Sequence, residues 1–339
     1  MNKASYLFLT VVLLISSCST KIDIIGEWKD ITVVYGILNQ TDSISYVKIN
    51  KAFLGEGNAL VMAREPDSSS YDDALEVTMQ ELKDSVFQKT FTFDTTTIYN
   101  KDSGTFYYPN QVLYACVTYQ QLDPTADYKL IIHNKITGKE ITGMTPLVGD
   151  FSILKPPYNP NNPTISFPDD NQATKKQISW TSATYGRRYQ VVMRINYKEK
   201  FFDQSDTLYK YVDYFFSDKK SLTLAGGEEM EVEFVNSSFY VFLKNKVPYE
   251  PAIEAQVDSR VAGNVDFIFS VAGDDFNTYL EVNEPSNSII QDRPEYTNIT
   301  NGIGIFSCRY NKIRSYSLTP TTVDALVTKG LKFVKVIGS

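Results

Sequence analysis

Histidine is nearly absent from this chain, because His133 is the single one among 339 residues. That scarcity excludes a zinc site built from several histidines, and the three cysteines are too widely spaced to form a metal cluster. A nucleophilic triad would have to use His133, which strand alternation places on the outer face of its strand. The glycine-rich phosphate loop, the dinucleotide fingerprint and the G-x-S-x-G turn are also lacking. The sequence therefore predicts no catalytic residue, no metal ligand and no cofactor, and we expect a protein that is not an enzyme.

Positive charge is in short supply as well. The chain has 33 Lys and Arg residues against 40 Asp and Glu residues, which gives a net charge of −7. Nucleic-acid binding depends on neutralising phosphates with Lys and Arg, so this balance excludes a nucleic-acid partner. Paired carboxyls facing a sugar remain the one enzymatic route that needs no histidine. The acidic doublets are typical of solvated turns or helix caps, and none has EF-hand spacing: Asp72–Asp73, Asp169–Asp170, Glu228–Glu229 and Asp274–Asp275.

Apolar runs of bilayer length are lacking too, so the body of the chain is expected to be tethered rather than membrane-spanning. The N-terminus has Lys3, a short apolar run from Tyr6 to Ile15, and then Ser16-Ser17-Cys18, which is typical of a secretory signal. Its ending resembles the lipobox of bacterial lipoproteins, whose cysteine becomes the mature N-terminus and carries acyl chains such as palmitate. An ordinary signal peptide with an incidental cysteine is the alternative.

The lipobox resemblance sets the expected location of the protein. Residues 1–17 would be the signal peptide, Cys18 the lipid-attachment site, and residues 18–23 a tether. Removing residues 1–17 takes away Lys3, so 32 basic residues face 40 acidic ones and the mature charge is −8. We expect a protein anchored by lipid in the outer membrane, with its periplasmic or extracellular orientation left open, because several acyl chains anchor stably where one does not.

Tyr and Phe are abundant, at 23 and 20 residues, and they favour strands. Residues 24–148 hold several alternating or apolar segments before Leu122-Asp-Pro-Thr-Ala-Asp-Tyr128. That segment resembles the tyrosine corner of fibronectin type III and other immunoglobulin-like sandwiches, where a Tyr hydroxyl bonds backbone across a corner. The expected fold class is mainly β, with two immunoglobulin-like or fibronectin-III-like β-sandwich domains and a few short helices. Residues 24–148 would be the first domain.

A proline-rich stretch from Lys155 to Pro163 cannot continue an interior strand, so residues 149–163 are interpreted as a linker, with a surface loop inside one domain as the alternative. Residues 164–339 would be a second, less regular β-sandwich with a C-terminal helix. Its cleanest pattern places every second residue from Tyr189 to Tyr197 on one face. Further strands are expected at 177–180, 208–216, 231–235, 239–244 and 265–271. Short helices are expected after Asp274 and after Thr319, where Pro320 can occupy the first helical position.

The segment from Phe267 to Leu280, followed by Tyr296-Thr-Asn-Ile-Thr-Asn-Gly-Ile-Gly-Ile-Phe306, resembles the C-terminal signature of a Bacteroidetes lipoprotein family, a domain of unknown function. Val33-Val-Tyr-Gly-Ile-Leu38 and the lipobox fit the same family, whereas the longer tail after Phe306 departs from it. Members look like companions of TonB-dependent outer-membrane receptors, so the resemblance implies an accessory role in nutrient capture or transport and no catalytic residues. Gly302 and Gly304 are interpreted as a bend rather than a phosphate cradle.

Two patterns concern chemical modification. Ser43, Ser85, Thr95 and Thr207 each follow an Asp, which resembles the Asp-Ser/Thr-apolar acceptor of Bacteroidetes O-glycosylation. Cys116 and Cys308 could form one disulfide in an oxidising compartment. However, Cys116 lies in an apolar run where cysteine behaves as a small core residue, which favours two unpaired cysteines.

Three hypotheses about function follow. The first is a lipid-anchored accessory protein of the outer membrane or cell surface that binds a glycan or peptide ligand, or a TonB-dependent receptor. The second is a structural or adhesive surface protein without a small ligand, and the third is a carboxylate-based glycan hydrolase. A deep cleft with facing carboxyls would favour the hydrolase, and a flat apolar patch would favour partner binding. The sequence identifies no ligand-binding residue.

Overall fold

The structure is a computed structural model of the 339-residue chain. It describes residues 31–52, 61, 63–65, 70–99, 102–104, 107, 109–169, 174–284 and 295–335. The expected signal peptide, the tether and Cys18 lie outside the described residues.

The expectation of a mainly β protein with few helices is confirmed. The strands are β1 (Ile31–Leu38), β2 (Ile44–Ala52), β3 (Leu75–Lys83), β4 (Val86–Ile98), β5 (Gln111–Val117), β6 (Asp127–Asn134), β7 (Glu140–Thr145), β8 (Ile153–Lys155), β9 (Thr164–Ile165), β10 (Lys175–Thr181), β11 (Gly186–Phe201), β12 (Thr207–Phe215), β13 (Lys219–Lys220), β14 (Glu229–Val235), β15 (Val257–Gly273), β16 (Ile299–Thr300) and β17 (Ile303–Leu318). The helices that the structure describes in full are α1 (Ser238–Lys246), α2 (Pro251–Glu254), α3 (Asp274–Asn283) and α4 (Pro320–Thr328), and a 3-10 turn covers Asp72–Ala74.

One large sheet runs through both halves of the chain in the order β12-β11-β15-β17-β1-β2-β5-β4-β3-β6-β7-β16, with β13 beside β11 and β9 beside β17. Strand β4 bends this sheet, because its first part pairs with β3 and its last five residues pair with β5. Strand β17 joins the halves. Its first part lies parallel to β1, and its second part lies antiparallel to β15.

A small sheet, in the order β14-β10-β8, is separate from the large one. Trp180 of β10 is fully buried, and its ring lies 5.8 Å from the ring of Tyr189 and 5.3 Å from that of Phe269. These partners lie on the inner faces of β11 and β15, so the core of this half is an aromatic layer between the two sheets. The expected alternation from Tyr189 to Tyr197 is confirmed, because all five odd-numbered side chains are buried.

The strand pairing cuts across the expected division at 149–163. Ile153–Lys155 forms β8 and pairs with β10, so part of the expected linker is sheet. β16 and the start of β17 fall within 164–339, yet they pair with β7 and β1 of the first half. The two segments therefore share a sheet, and an immunoglobulin-like fold for each of them stays a prediction.

The strand expected at 239–244 is wrong, because these residues belong to helix α1. Phe239, Tyr240 and Leu243 are its buried residues, a spacing that one face of a helix accommodates and alternation does not. Both expected helices are present. α3 begins at Asp274, with Gly273 rather than an aspartate at the N-cap, and α4 begins at Pro320.

Candidate binding surface

Three large aromatic side chains lie exposed on one side of β12. Tyr209, Tyr211 and Phe215 are 78%, 56% and 63% exposed. Because side chains alternate along a strand, they project to the same face as Asp213. Among the described residues β12 pairs with β11 alone, so this strand ends the sheet and presents a backbone edge.

An arginine beside these rings is held by a carboxylate and by one of the rings. Arg194 of β11 donates through Nε and Nη2 to Asp213 Oδ1 and Oδ2, both at 2.8 Å. Its guanidinium carbon also lies 3.9 Å from the centre of the Tyr211 ring. The bidentate hydrogen bond and the contact with the ring orient the guanidinium plane before a partner binds. We call Tyr209, Tyr211, Phe215 and Arg194 the aromatic face.

The sequence predicted the strand that carries this face but not its role. Leu208, Tyr209, Lys210, Tyr211 and Val212 place large side chains on both sides of the strand. A strand with large residues on both faces must either be covered by other elements on both faces or leave one row of side chains exposed to solvent. That choice depends on what packs against it, which alternation alone does not reveal.

A second feature is a groove between α3 and the outer face of the large sheet, with a volume of about 370 Å³. One side of α3 supplies a wall from Phe276, Leu280 and, just beyond the helix, Glu284. These residues recur every four positions and so lie on one helix face. Strands β11, β15 and β17 supply the floor. We call this cavity the α3 groove.

Asn298, in the segment from Tyr296 to Phe306 on which the family resemblance rests, bonds across the turn between β16 and β17. Asn298 Nδ2 donates to the Phe306 carbonyl at 2.7 Å, and the Phe306 N–H donates back to Asn298 Oδ1 at 2.9 Å. Asn298 Nδ2 also lies 3.0 Å from Asp275 Oδ2 of α3, whose other oxygen accepts from the Tyr296 hydroxyl. Burial and this carboxylate raise the pKa of Tyr296, so the phenol stays a donor. The signature therefore joins α3 to β17.

The two signature glycines allow β17 to approach β1. Gly304 has φ +110°, and a side-chain carbon there would collide with the Val34 carbonyl oxygen. A side-chain carbon on Gly302 would lie 2.8 Å from the Thr32 carbonyl oxygen. Both positions thus need a residue without Cβ for close strand packing.

The tyrosine corner predicted at Tyr128 is confirmed. Its side chain is fully buried, its hydroxyl accepts from the Asp123 N–H at 2.7 Å, and it donates to Glu81 Oε2 at 2.8 Å. Burial, followed by the Glu81 carboxylate, raises the pKa of Tyr128. The hydroxyl therefore satisfies a backbone donor and a buried acid together.

A second corner of the same kind was not predicted. The fully buried Tyr189 accepts at its hydroxyl from the Ala183 N–H at 2.6 Å, and burial raises the pKa of Tyr189 to about 12. The Leu and Pro that announce the corner before Tyr128 are missing from the residues before Tyr189. Alternation marked this tyrosine as a core residue, but no local pattern indicated its hydrogen bond.

The residues expected to be modified have distinct surroundings. Each of the four acceptor hydroxyls lies on an exposed residue: Ser43, Ser85, Thr95 and Thr207. Their use as glycosylation sites stays a prediction. Cys116 and Cys308 are both free, as expected, and burial raises the pKa of the Cys308 thiol to about 11.

The predicted acid and histidine positions do not converge on one site in the described part of the chain. His133 is exposed, as expected. Arg187 Nε bonds Asp274 at 2.7 Å, the Leu222 N–H bonds Glu228 at 2.7 Å, and Lys329 pairs with Asp169 at 2.6 Å. Asp274 begins helix α3, whereas Glu228 and Asp169 lie outside the strands and helices. Asp170 lies outside the described residues, and among those described no cluster of three His, Cys, Asp or Glu side chains could hold a metal ion.

A buried ion network lies at the far end of the antiparallel pair formed by β11 and β15. Arg260 is fully buried and donates through Nε to Glu199 Oε2, and through Nη1 and Nη2 to the two oxygens of Glu254, each at 2.7 Å. The other Glu199 oxygen accepts from the Tyr249 hydroxyl at 2.7 Å. Arg260 also donates to the Leu331 carbonyl, so the network holds the C-terminal segment against the sheet.

Comparison with known proteins does not assign a family. No family model matches the chain, and no curated protein matches it. Among solved structures, the chain is similar to the C-terminal globular domain of an oligosaccharyltransferase from Pyrococcus abyssi, with 8% identity and a TM-score of 0.26 over 71% of this chain. The match spans 46% of that longer protein. A cytokine receptor complex matches at 8% identity and a TM-score of 0.22, over 85% of this chain and 98% of that one.

Within the residues that the structure describes, no helix is both long and apolar enough to cross a bilayer.

Proposed function

We propose that this protein is a lipid-anchored accessory protein of the outer membrane that binds a TonB-dependent receptor through the aromatic face. The signal pattern ending at Cys18 and the family resemblance support the location and the class of partner. The exposed, pre-ordered aromatic face supports binding as the activity.

The aromatic face carries the proposal for a physical reason. Tyr and Arg are enriched at protein interfaces because they bury large areas and still hydrogen-bond. Large exposed rings in a row are unfavourable in water unless a partner covers them. Arg194 loses little conformational entropy on binding, because Asp213 and Tyr211 already hold it. The neighbouring edge of β12 offers backbone groups for an additional strand of the partner.

Two immunoglobulin-like modules are part of the same proposal. The hydroxyls of Tyr128 and Tyr189 each bond backbone a few residues upstream, one in each half of the chain. That arrangement is typical of such sandwiches and supports a rigid scaffold that presents binding surfaces.

The experiment uses the full lipidated chain with a C-terminal tag, purified from outer membranes. We expect the receptor to co-purify, and the double variant Tyr209→Ser with Tyr211→Ser to reduce it at least tenfold. Tyr119→Ser is the matched control, because Tyr119 is a 55% exposed tyrosine in the other half of the chain. Equal thermal midpoints would show that both variants fold. Undiminished receptor in the double variant would contradict the proposal.

A further inference from the structure

The floor of the α3 groove is a row of neutral polar side chains. Strand register places Gln190 of β11 opposite Ser270 of β15, and Ser270 opposite Asn311 of β17. All three line the groove. The described part of the chain provides no hydrogen-bond partner for any of these side chains. Two amides and a hydroxyl therefore present both donors and acceptors to whatever occupies the groove.

The charges beside this row are already balanced. Arg188 Nε lies 2.6 Å from Asp218, and its Nη2 lies 2.6 Å from Glu284. Arg309 pairs with Asp42 at 3.3 Å. An anionic ligand would meet these carboxylates and a cationic ligand would meet the arginines, so the groove favours a neutral molecule. One donor remains, because the buried Arg188 Nη1 has no hydrogen-bond partner within the described residues.

The opposite wall is largely apolar, because Phe276 and Leu280 of α3 line it before Glu284 ends it. Val271 and Ala272 of β15 also line the groove. A ligand in this space meets hydrogen-bonding groups on one side and carbon surfaces on the other. Pyranose sugars have that distribution, since their hydroxyls radiate around a ring whose faces carry C–H groups. A volume of about 370 Å³ lies at the lower end for small-molecule sites, which suits one or two sugar units.

We infer that the α3 groove binds a neutral mono- or disaccharide. The inference goes beyond the proposed receptor contact, because the groove and the aromatic face are separate surfaces with no lining residue in common. The groove and the aromatic face belong to the same outer face of β11, because Gln190 and Arg194 lie an even number of residues apart. A saccharide in the groove would therefore lie beside the receptor that covers the aromatic face.

The test is calorimetric titration of the full mature chain with named probes. The neutral probes are glucose, galactose, mannose, N-acetylglucosamine and their disaccharides, and the comparison probes are glucuronic acid and Ala-Ala dipeptide. We expect one neutral sugar to bind, with at least tenfold weaker binding for Asn311→Ala and for Gln190→Ala. Gln121→Ala is the control, since Gln121 is exposed and distant in sequence from the groove. We expect it to bind as wild type does.

Several outcomes would overturn the inference. These are no neutral sugar bound at millimolar concentration, binding that survives both groove substitutions, or preference for the acid or the dipeptide. If receptor co-purification still depends on Tyr209 and Tyr211, such a result removes the saccharide site alone. If that dependence is lost while sugar binding holds, the receptor role fails and the groove remains.

Discussion

Arg260→Met is expected to be strongly destabilising. The substitution removes every bond from the guanidinium and leaves Glu199 fully buried, with the Tyr249 hydroxyl as its remaining partner in the network. Leaving one buried charge unpaired typically costs about 3–5 kcal/mol. That is a large share of the roughly 5–15 kcal/mol that stabilises a typical domain.

Two further variants separate charge burial from the loss of packing. Adding Glu199→Leu to Arg260→Met removes the orphaned charge, so most of the lost stability should return, because apolar replacements of buried ion pairs are often neutral. Arg194→Met is the control on the same strand as Glu199. It breaks a partly exposed pair with Asp213 and should cost about 0–1 kcal/mol.

Urea unfolding of the mature chain at pH 7, followed by tryptophan fluorescence, measures these differences through the transition midpoint. We expect Arg260→Met to have by far the lowest midpoint, or to be recovered only as unfolded protein, and the double variant to fold. A single variant as stable as wild type would refute the reasoning. So would a double variant no better than the single one.

Three other predictions follow from local geometry. Arg260 lowers the pKa of Glu254, so this carboxyl stabilises the fold above its unfolded pKa of about 4.3 and ceases to do so as pH falls through the lower folded value. Glu254→Gln should therefore make the urea midpoint fall less steeply with decreasing pH below pH 5. An unchanged pH dependence of the midpoint would argue against the pairing. Gly304→Ala should lower the stability by about 3 kcal/mol, because of backbone strain at positive φ and a clash with β1. Gly138→Ala, which also has a positive φ but open space around it, should cost about 1 kcal/mol. Equal shifts in melting temperature for the two variants would contradict the close approach of β17 to β1. Tyr128→Phe should cost about 1–3 kcal/mol by leaving a backbone donor and Glu81 unpaired, and an unchanged melting temperature would argue against the corner.

Local patterns predicted the elements whose determining residues lie close together in the sequence. The buried face from Tyr189 to Tyr197 could be predicted because side chains alternate between the two faces of a strand, whichever strands pair with it. The corner at Tyr128 could be predicted because its partner lies five residues away. Helix α4 could be predicted because a cap, a proline and a stop are all local signals.

The candidate surfaces depend on pairing between distant parts of the chain. No local pattern shows that β17 crosses from β15 to β1, since that requires Gly304 to meet Val34. The row of Gln190, Ser270 and Asn311 exists only through the register of three strands. Helix α1 was mistaken for a strand because a short, continuously apolar segment from Phe239 to Leu243 has no distinguishing period.

Photo-crosslinking from position 209 tests the binding account most directly. A photoreactive phenylalanine analogue replaces Tyr209 in the lipidated chain, and the same analogue replaces Tyr119 as the control. After irradiation of intact membranes, we predict an adduct with a TonB-dependent receptor from position 209 and none from position 119, identified by mass spectrometry. The absence of a receptor adduct from position 209, or equal adducts from both positions, would contradict the claim that the aromatic face is the binding surface.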